Sequence, residues 1–111
     1  MQFMITADYT PQAISALRNN PNTNRREAAQ QLLESVNAKL IAFYGRTANG
    51  PGALVIFETD DPTVPPALLS VAGPSGTLQN ISLERLLNQE ETVAIRQTAQ
   101  KAANAYRQPG Q

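Results

Sequence analysis

The amino-acid sequence predicts an α+β fold in which helices cover one antiparallel sheet of four strands. Three observations lead to this prediction. An alternating stretch opens the chain, and two apolar runs of strand length flank a turn-rich segment at Asn49–Gly52. Helical periodicity is found in most of the remaining chain, both before and after a last alternating stretch. The resulting order, β-α-α-β-β-α-β-α, is typical of a ferredoxin-like domain with additions, among them a C-terminal helix.

The first predicted strand runs from Gln2 to Tyr9 and carries apolar side chains on both faces. Its two faces hold Phe3, Ile5, Ala7 and Tyr9 on one side and Gln2, Met4, Thr6 and Asp8 on the other. A sheet with helices on only one face would leave Met4 and its neighbours in water. We therefore expect the second face to be covered by another copy of the chain in a homodimer.

Two helices are predicted between the first and second strands. Thr10 is a suitable N-cap, Pro11 suits the first helical position, and the Asn19–Pro21 segment ends this helix. Asn24 and Glu27 have capping-box spacing at the start of the next helix. Apolar residues then recur on one face of it, namely Ala28, Ala29, Leu32, Leu33 and Val36.

A hairpin and a third helix follow. Leu40–Tyr44 and Ala53–Phe57 have the length and apolar character of paired strands. The Asp60–Pro62 segment opens a helix, and we interpret its two carboxylates as caps for backbone amides. Two further prolines confine the regular part of that helix to the stretch near Ala67–Val71, and the loop Gly73–Gly76 ends it.

The last predicted strand, Leu78–Leu86, has the alternation of an edge strand. It places Gln79, Ile81, Leu83 and Arg85 on one face and Leu78, Asn80, Ser82 and Glu84 on the other. Asn88 and Glu91 repeat the capping-box spacing before a final helix, whose thin apolar seam ends at Tyr106. The sequence thus predicts a single domain over residues 1–106 and a frayed tail over residues 107–111.

Composition restricts the functions open to this chain. Its 111 residues include no His, Cys or Trp, and nine basic residues balance nine acidic ones. We therefore expect no metal site, no cofactor and no binding of nucleic acid. The sequence also contains no apolar run of membrane-spanning length and no N-terminal signal pattern, which predicts a cytoplasmic protein without membrane contact.

Several short motifs resemble the GYD-domain family, small bacterial proteins of uncharacterised function. The similarity covers Phe3 to about Leu87 and is carried by Tyr9-Thr10-Pro11, the Asn20-Pro21 to Arg25 helix break, Lys39–Tyr44 and Thr77–Arg85. The resemblance implies a dimeric α/β barrel built from ferredoxin-like subunits. The chain departs from the family pattern at Pro51 and Gly52, which stand where the family has the tyrosine and aspartate of its name motif.

Polar residues at strand ends are the strongest candidates for a ligand-binding site. We assign this role to Asp8, Tyr9, Tyr44 and Arg46, and we expect a pocket between the sheet and the first two helices. The alternative is that these side chains face water or pair across the dimer interface. The basic pair Arg25-Arg26 lies in the first turn of a helix, where a cation is unfavourable. The two side chains either bind an anion or a partner carboxylate, or they are simply solvated.

The sequence leaves more than one class of function open. A small homodimeric ligand-binding or regulatory module requires no catalytic residue, and catalytic residues remain unknown. The alternative is a cofactor-independent monooxygenase-like or isomerase-like enzyme of the dimeric α/β-barrel group, which would depend on Asp8, Tyr9, Tyr44 or Glu58. RNA binding through the sheet is disfavoured because stacking aromatics and a basic surface are not evident.

Overall fold

The four strands form one antiparallel sheet in the computed structural model, which describes residues 1–111. They are β1 (Gln2–Tyr9), β2 (Lys39–Arg46), β3 (Gly52–Glu58) and β4 (Leu78–Leu86). Their spatial order is β2-β3-β1-β4, and each neighbouring pair is antiparallel. The predicted ferredoxin-like arrangement is therefore confirmed, with the first and third strands in the centre.

Three of the four helices begin where the sequence predicts caps. The helices are α1 (Pro11–Asn19), α2 (Arg25–Glu34), α3 (Val64–Ala72) and α4 (Gln89–Ala103), and a 3₁₀ turn covers Gly73–Ser75. Thr10 and Asn24 each accept a hydrogen bond from a backbone N–H three residues later. Asn88 and Glu91 form a complete capping box, in which each side chain accepts from the other residue's backbone N–H. Side-chain chemistry at these positions thus fixes the helix starts.

Helix α3 is longer than the sequence indicates. The prediction confined it to the stretch near Ala67–Val71, but it begins at Val64 and contains Pro65 and Pro66 in its first turn. Proline lacks only an N–H there, and the first four N–H groups of a helix have no intrahelical partner. The two prolines therefore initiate the helix instead of delaying it.

Helix α2 is shorter than its apolar periodicity indicates. It ends at Glu34, and Asn37 has the left-handed conformation (φ 57°) that breaks the helix. The Ala38 N–H donates to the Leu33 carbonyl at 2.9 Å and closes the turn. Val36 therefore lies outside the helix, although it still packs against the core.

The core lies between one face of the sheet and helices α2 and α3. Phe57 at its centre is completely buried and stacks on Phe3 with ring centroids 5.6 Å apart. The buried residues of this cluster are Leu33, Ala38, Phe57, Val64 and Leu68. Only 11 of the 111 residues are buried, so the fully buried core is small and partly buried apolar residues pack around it.

Strand β4 contains a bulge that shifts its alternation. Its register against β1 moves from Thr6–Ser82 to Asp8–Gln79, and Asn80 adopts a left-handed conformation (φ 52°). Leu78 is consequently paired with Tyr9 and lies on the same face as Leu83, where the simple alternation predicted opposite faces. The bulge thus gives the helical side of the sheet one more apolar residue.

The second face of the sheet is not covered by a helix. Its central residues are half-buried and mostly apolar, namely Met4, Thr6, Ala42, Leu54 and Ile56. Tyr44 lies beside them and is 63% exposed. We call this surface the open face. Val55 points to the opposite, helical side and packs against the core. A substitution that tests the open face must therefore be made at its neighbour Ile56.

Helix α4 projects from the domain. None of its residues is buried, and every residue from Val93 to its end is exposed. The radius of gyration is 17.9 Å, whereas a domain of this length has about 13 Å when all elements pack together. No helix of the chain combines the length and the apolar character that a bilayer span requires.

Candidate functional site

The structure divides the four predicted site residues between the two faces of the sheet. Asp8, Tyr44 and Arg46 lie on the open face, because each is in register with a residue of that face. Tyr9 follows Asp8 and therefore points to the helical side, where it lines a cavity. The four side chains do not converge on one pocket.

Asp8 forms a polar clamp across the sheet. Its carboxylate is almost buried; Oδ1 accepts from Arg46 Nη1 at 3.4 Å, and Oδ2 accepts from Asn80 Nδ2 at 3.0 Å. Arg46 belongs to β2, Asp8 to β1 and Asn80 to β4. The three side chains thus connect both edge strands to a central one.

Gly52 leaves the space through which Arg46 reaches Asp8. It lies on β3 between Arg46 and Asp8 and pairs with both. A Cβ atom at this position would lie 2.4 Å from the Ala7 carbonyl oxygen and 3.3 Å from Asp8 Oδ1. The absence of a side chain therefore lets the guanidinium of Arg46 reach across β3 to the carboxylate.

The clamp stabilises the sheet and is poorly suited to acid-base chemistry. Both oxygens of Asp8 already accept hydrogen bonds, and no buried side-chain polar atom of the chain lacks a partner. A general base needs an oxygen that faces the substrate. Asp8 is almost buried, its two oxygens are directed at Arg46 and Asn80, and it faces away from the cavity on the helical side.

The helical side contains an apolar cavity of about 120 Å³ between the sheet and helices α2 and α3. Its walls include Ile5, Ala29, Leu32, Leu33, Phe43, Ala53, Val55, Phe57, Leu68, Ala72 and Leu78. The sequence predicts a pocket between the sheet and the first two helices, whereas this cavity is bordered by the second and third helices and no residue of α1 lines it. The residues that border it are different, since Tyr9 is the only member of the predicted set that reaches it.

Tyr9 and Arg25 complete the cavity wall. The same two residues also border a neighbouring groove of about 240 Å³ along α1, so they stand between the cavity and this groove. Neither the Tyr9 hydroxyl nor the Arg25 guanidinium makes a hydrogen bond or an ion pair within the chain. Both groups are therefore free to bind a polar atom of a ligand.

The signal for Arg25 is present in the sequence. Ala29, Leu32 and Leu33 follow Arg25 at distances of four, seven and eight residues, which places all four on one face of α2. Arg26 lies outside this face and does not line the cavity. Sequence reasoning treated the two arginines as one basic pair, whereas helical periodicity separates them.

A larger depression of about 390 Å³ lies at the other end of β1. It is bordered by Met1, Gln2, Glu58, Leu86, Leu87, Asn88 and Glu91. Most of its lining is polar, and the Glu91 side chain there is already engaged by the Asn88 N–H and by Arg85. A wide polar depression retains water more readily than an apolar one. The smaller apolar cavity is therefore the better candidate for a binding site.

Two carboxyl groups with depressed pKa lie at helix starts, outside the cavity. The Thr63 hydroxyl and then the Thr63 backbone N–H lower the pKa of Asp61. The backbone N–H of Asn88 and then the Arg85 guanidinium lower the pKa of Glu91. Asp60 accepts from the N-terminal ammonium group at 2.9 Å. Asp61 thus accepts from a backbone amide just before α3, in part as the capping interpretation expects, but the N-cap position of that helix is Thr63. Asp60 binds the chain terminus instead.

No three His, Cys, Asp or Glu side chains cluster closely enough to hold a metal ion. The cavity lining contains no carboxylate and a single cation. Its chemistry is that of an apolar surface with one guanidinium and one phenol at the border. Such a site can bind and orient a small molecule without a metal or a second charged group.

Comparison with known families identifies the relatives of this chain. A model of the GYD domain matches residues 3–96, which include the sheet from Phe3 onward, helices α1 to α3 and the first half of α4. Comparison with curated proteins and with solved structures returns no significant match. The matched segment also contains both borders of the cavity, Tyr9 and Arg25. The chain belongs to the GYD-domain family.

Proposed function

We propose that this protein is a homodimeric module that binds a small, largely apolar molecule between its sheet and helices α2 and α3. The cavity lining supports this proposal, because nearly all of its side chains are apolar and they come from both layers. Apolar cavities of this kind exclude water and accept apolar ligands. The ligand would rest on Val55 and Phe57 of the central strand β3.

The open face supports the homodimer. It exposes an apolar centre of Met4, Leu54 and Ile56 on the two central strands, and none of these residues is buried in a single chain. A second copy of the same surface would cover it by a two-fold rotation. Face-to-face packing of two such sheets places their inner faces about 10 Å apart.

Binding fits the geometry better than catalysis does. The alternative enzyme would depend on Asp8, Tyr9, Tyr44 or Glu58. Asp8 and Tyr44 lie on the open face, opposite the cavity, and Glu58 does not line it. Tyr9 is the one member of that set whose side chain borders the cavity. A phenol and a guanidinium suffice to orient a ligand, and the proposed module needs nothing more.

The dimer predicts a specific effect of Ile56→Asp. A carboxylate at the centre of the open face would be desolvated without a partner, so association should be lost. Light scattering should report about 24 kDa for the natural chain, twice its mass of 12.0 kDa, and about 12 kDa for the variant. The far-UV circular dichroism of the variant should remain that of a folded α+β chain.

Val71→Asp is the matched control, because it introduces the same charge at a position that is 59% exposed on α3. This variant should stay dimeric. A natural chain that is monomeric at micromolar concentration contradicts the homodimer, and so does an Ile56→Asp variant that remains a dimer.

The cavity predicts that Ala29→Leu abolishes ligand binding. Leucine adds three carbon atoms to the wall of a cavity of about 120 Å³ and preserves helix propensity. The affinity for 3-phenylpropan-1-ol, measured by calorimetry, should fall at least tenfold. Native mass spectrometry of the natural chain provides an independent test, since a co-purified small molecule should be absent from this variant.

Ala28→Leu is the control for this experiment. Ala28 precedes Ala29 on α2 and is half-buried too, but it does not line the cavity. Its leucine variant should bind the alcohol as the natural chain does. Equal loss of affinity in both variants, or no binding by the natural chain, contradicts the proposed site.

A further inference from the structure

We infer that the ligand of this cavity is a small organic anion, an apolar body of about the size of a benzene ring with one carboxylate beside it. The inference rests on the proposed function and specifies the class of molecule that the site accepts. Arg25 carries it, as the single charged residue in the cavity lining.

The position of Arg25 on α2 fits an anion at the end of the cavity. Arg25 lies four residues before Ala29, and this separation is about one helical turn, or about 6 Å along the helix axis. A ligand whose apolar part contacts Ala29 and Leu33 would therefore place a carboxylate within reach of the guanidinium. Arg25 can bind it through two parallel N–H donors.

The guanidinium of Arg25 has no competing partner. The chain contains three ion pairs, which involve Arg46, Arg85 and the N-terminus. Glu27, the acidic residue in the first turn of α2, forms no ion pair with Arg25 or any other residue and lies outside the cavity lining. An incoming carboxylate therefore displaces only water from Arg25.

The helix start adds to this preference. Arg25 is the first residue of α2, where the partial positive charge of the helix makes a cation unfavourable. A bound anion is attracted by both the guanidinium and the helix start. The Tyr9 hydroxyl borders the cavity beside Arg25 and makes no hydrogen bond within the chain, so it can donate one to the same carboxylate.

The volume of the cavity limits the apolar body. An apolar cavity of about 150 Å³ accepts benzene, and this one has about 120 Å³. One aromatic ring or a short branched alkyl chain matches this volume. The class is therefore an arylalkanoate or a short branched carboxylate.

The test compares two molecules with one skeleton, 3-phenylpropanoate and 3-phenylpropan-1-ol, by calorimetry at pH 7. The natural chain should bind the acid at least tenfold more tightly than the alcohol. Arg25→Gln should weaken binding of the acid at least tenfold more than it weakens binding of the alcohol. Arg26→Gln, one residue further along and outside the cavity lining, should change neither affinity.

The outcomes separate the inference from the proposed function. Equal affinity of the natural chain for acid and alcohol overturns the inference and leaves the binding module intact. A preference for the acid that survives in Arg25→Gln overturns the assignment to Arg25. Absence of binding for both molecules overturns the inference together with the proposed function. Both arginine variants should melt at the temperature of the natural chain, since neither residue is buried.

Discussion

Replacement of Phe57 by Ala is expected to lower the free energy of unfolding by about 3–5 kcal/mol, the usual cost of removing a buried phenyl ring. Phe57 is fully buried, stacks on Phe3 and belongs to the same core cluster as Leu33 of α2 and Leu68 of α3. Removal of its ring leaves a cavity that the surrounding sheet cannot close. Because small domains have about 5–15 kcal/mol of stability, this one change consumes a large share of it.

Chemical denaturation measures this loss, and Tyr106→Ala is its control. The control also removes an aromatic ring, but Tyr106 is 67% exposed beyond the end of α4. Its effect should stay within about 0.5 kcal/mol. A Phe57→Ala variant whose unfolding midpoint matches that of Tyr106→Ala would show that the core is organised around other residues.

The second large effect is expected for Gly52→Ala. The new Cβ would lie 2.4 Å from the Ala7 carbonyl oxygen, and a backbone atom in a central strand cannot move aside without disturbing the β1–β3 pairing. Overpacking costs about 1–3 kcal/mol where side chains can adjust, so a clash with backbone should cost at least about 3 kcal/mol. The variant should also lose the reach of Arg46 to Asp8 across this position.

Gly45→Ala is the control for the second effect, since it makes the same change in the adjacent strand β2. The nearest atom to a Cβ there is the Gly52 carbonyl oxygen at 4.0 Å, an ordinary contact. Its unfolding midpoint should remain close to that of the natural chain. If the two variants unfold at the same denaturant concentration, the close approach of β3 to β1 at Gly52 does not limit the stability of the sheet.

The sheet was predictable from the sequence because its patterns are local. Alternation in β1, the apolar runs of β2 and β3 and the side-chain caps at Thr10, Asn24 and Asn88 all report on neighbouring residues. The errors lie where a local pattern was incomplete. The two prolines of α3 are compatible with its first turn, and Asn80 reverses the alternation of β4 by a left-handed backbone.

The site was only partly predictable, because its residues meet through the sheet order. The sequence predicted a pocket on the helical side of the sheet but placed it at the first two helices instead of the second and third. It also assigned to this pocket three residues of the opposite face, Asp8, Tyr44 and Arg46. Polarity at a strand end does not state which face a side chain occupies, and a one-residue difference reverses it. The contact of Asp8 with Asn80 spans 72 residues and depends on the bulge of β4.

Arg25 shows what a finer reading of periodicity can add. Its spacing from Ala29, Leu32 and Leu33 was visible, but a charged residue at a helix start has an ordinary explanation as a solvated side chain. The geometry of the cavity gives that spacing its meaning, because Arg25 lines the wall and Arg26 does not.

Hydrogen exchange in helix α4 can report whether a second chain covers this helix. A helix of 15 residues without a buried side chain is held by little beyond its capping box and the ion pair of Glu91 with Arg85, and an isolated helix of that length is marginal in water. Its amide protons should therefore exchange with deuterated solvent far faster than those of β1 and β3, which open only when the whole domain unfolds. Slowed exchange in α4 at rising protein concentration would mark this helix as a surface that a second chain covers.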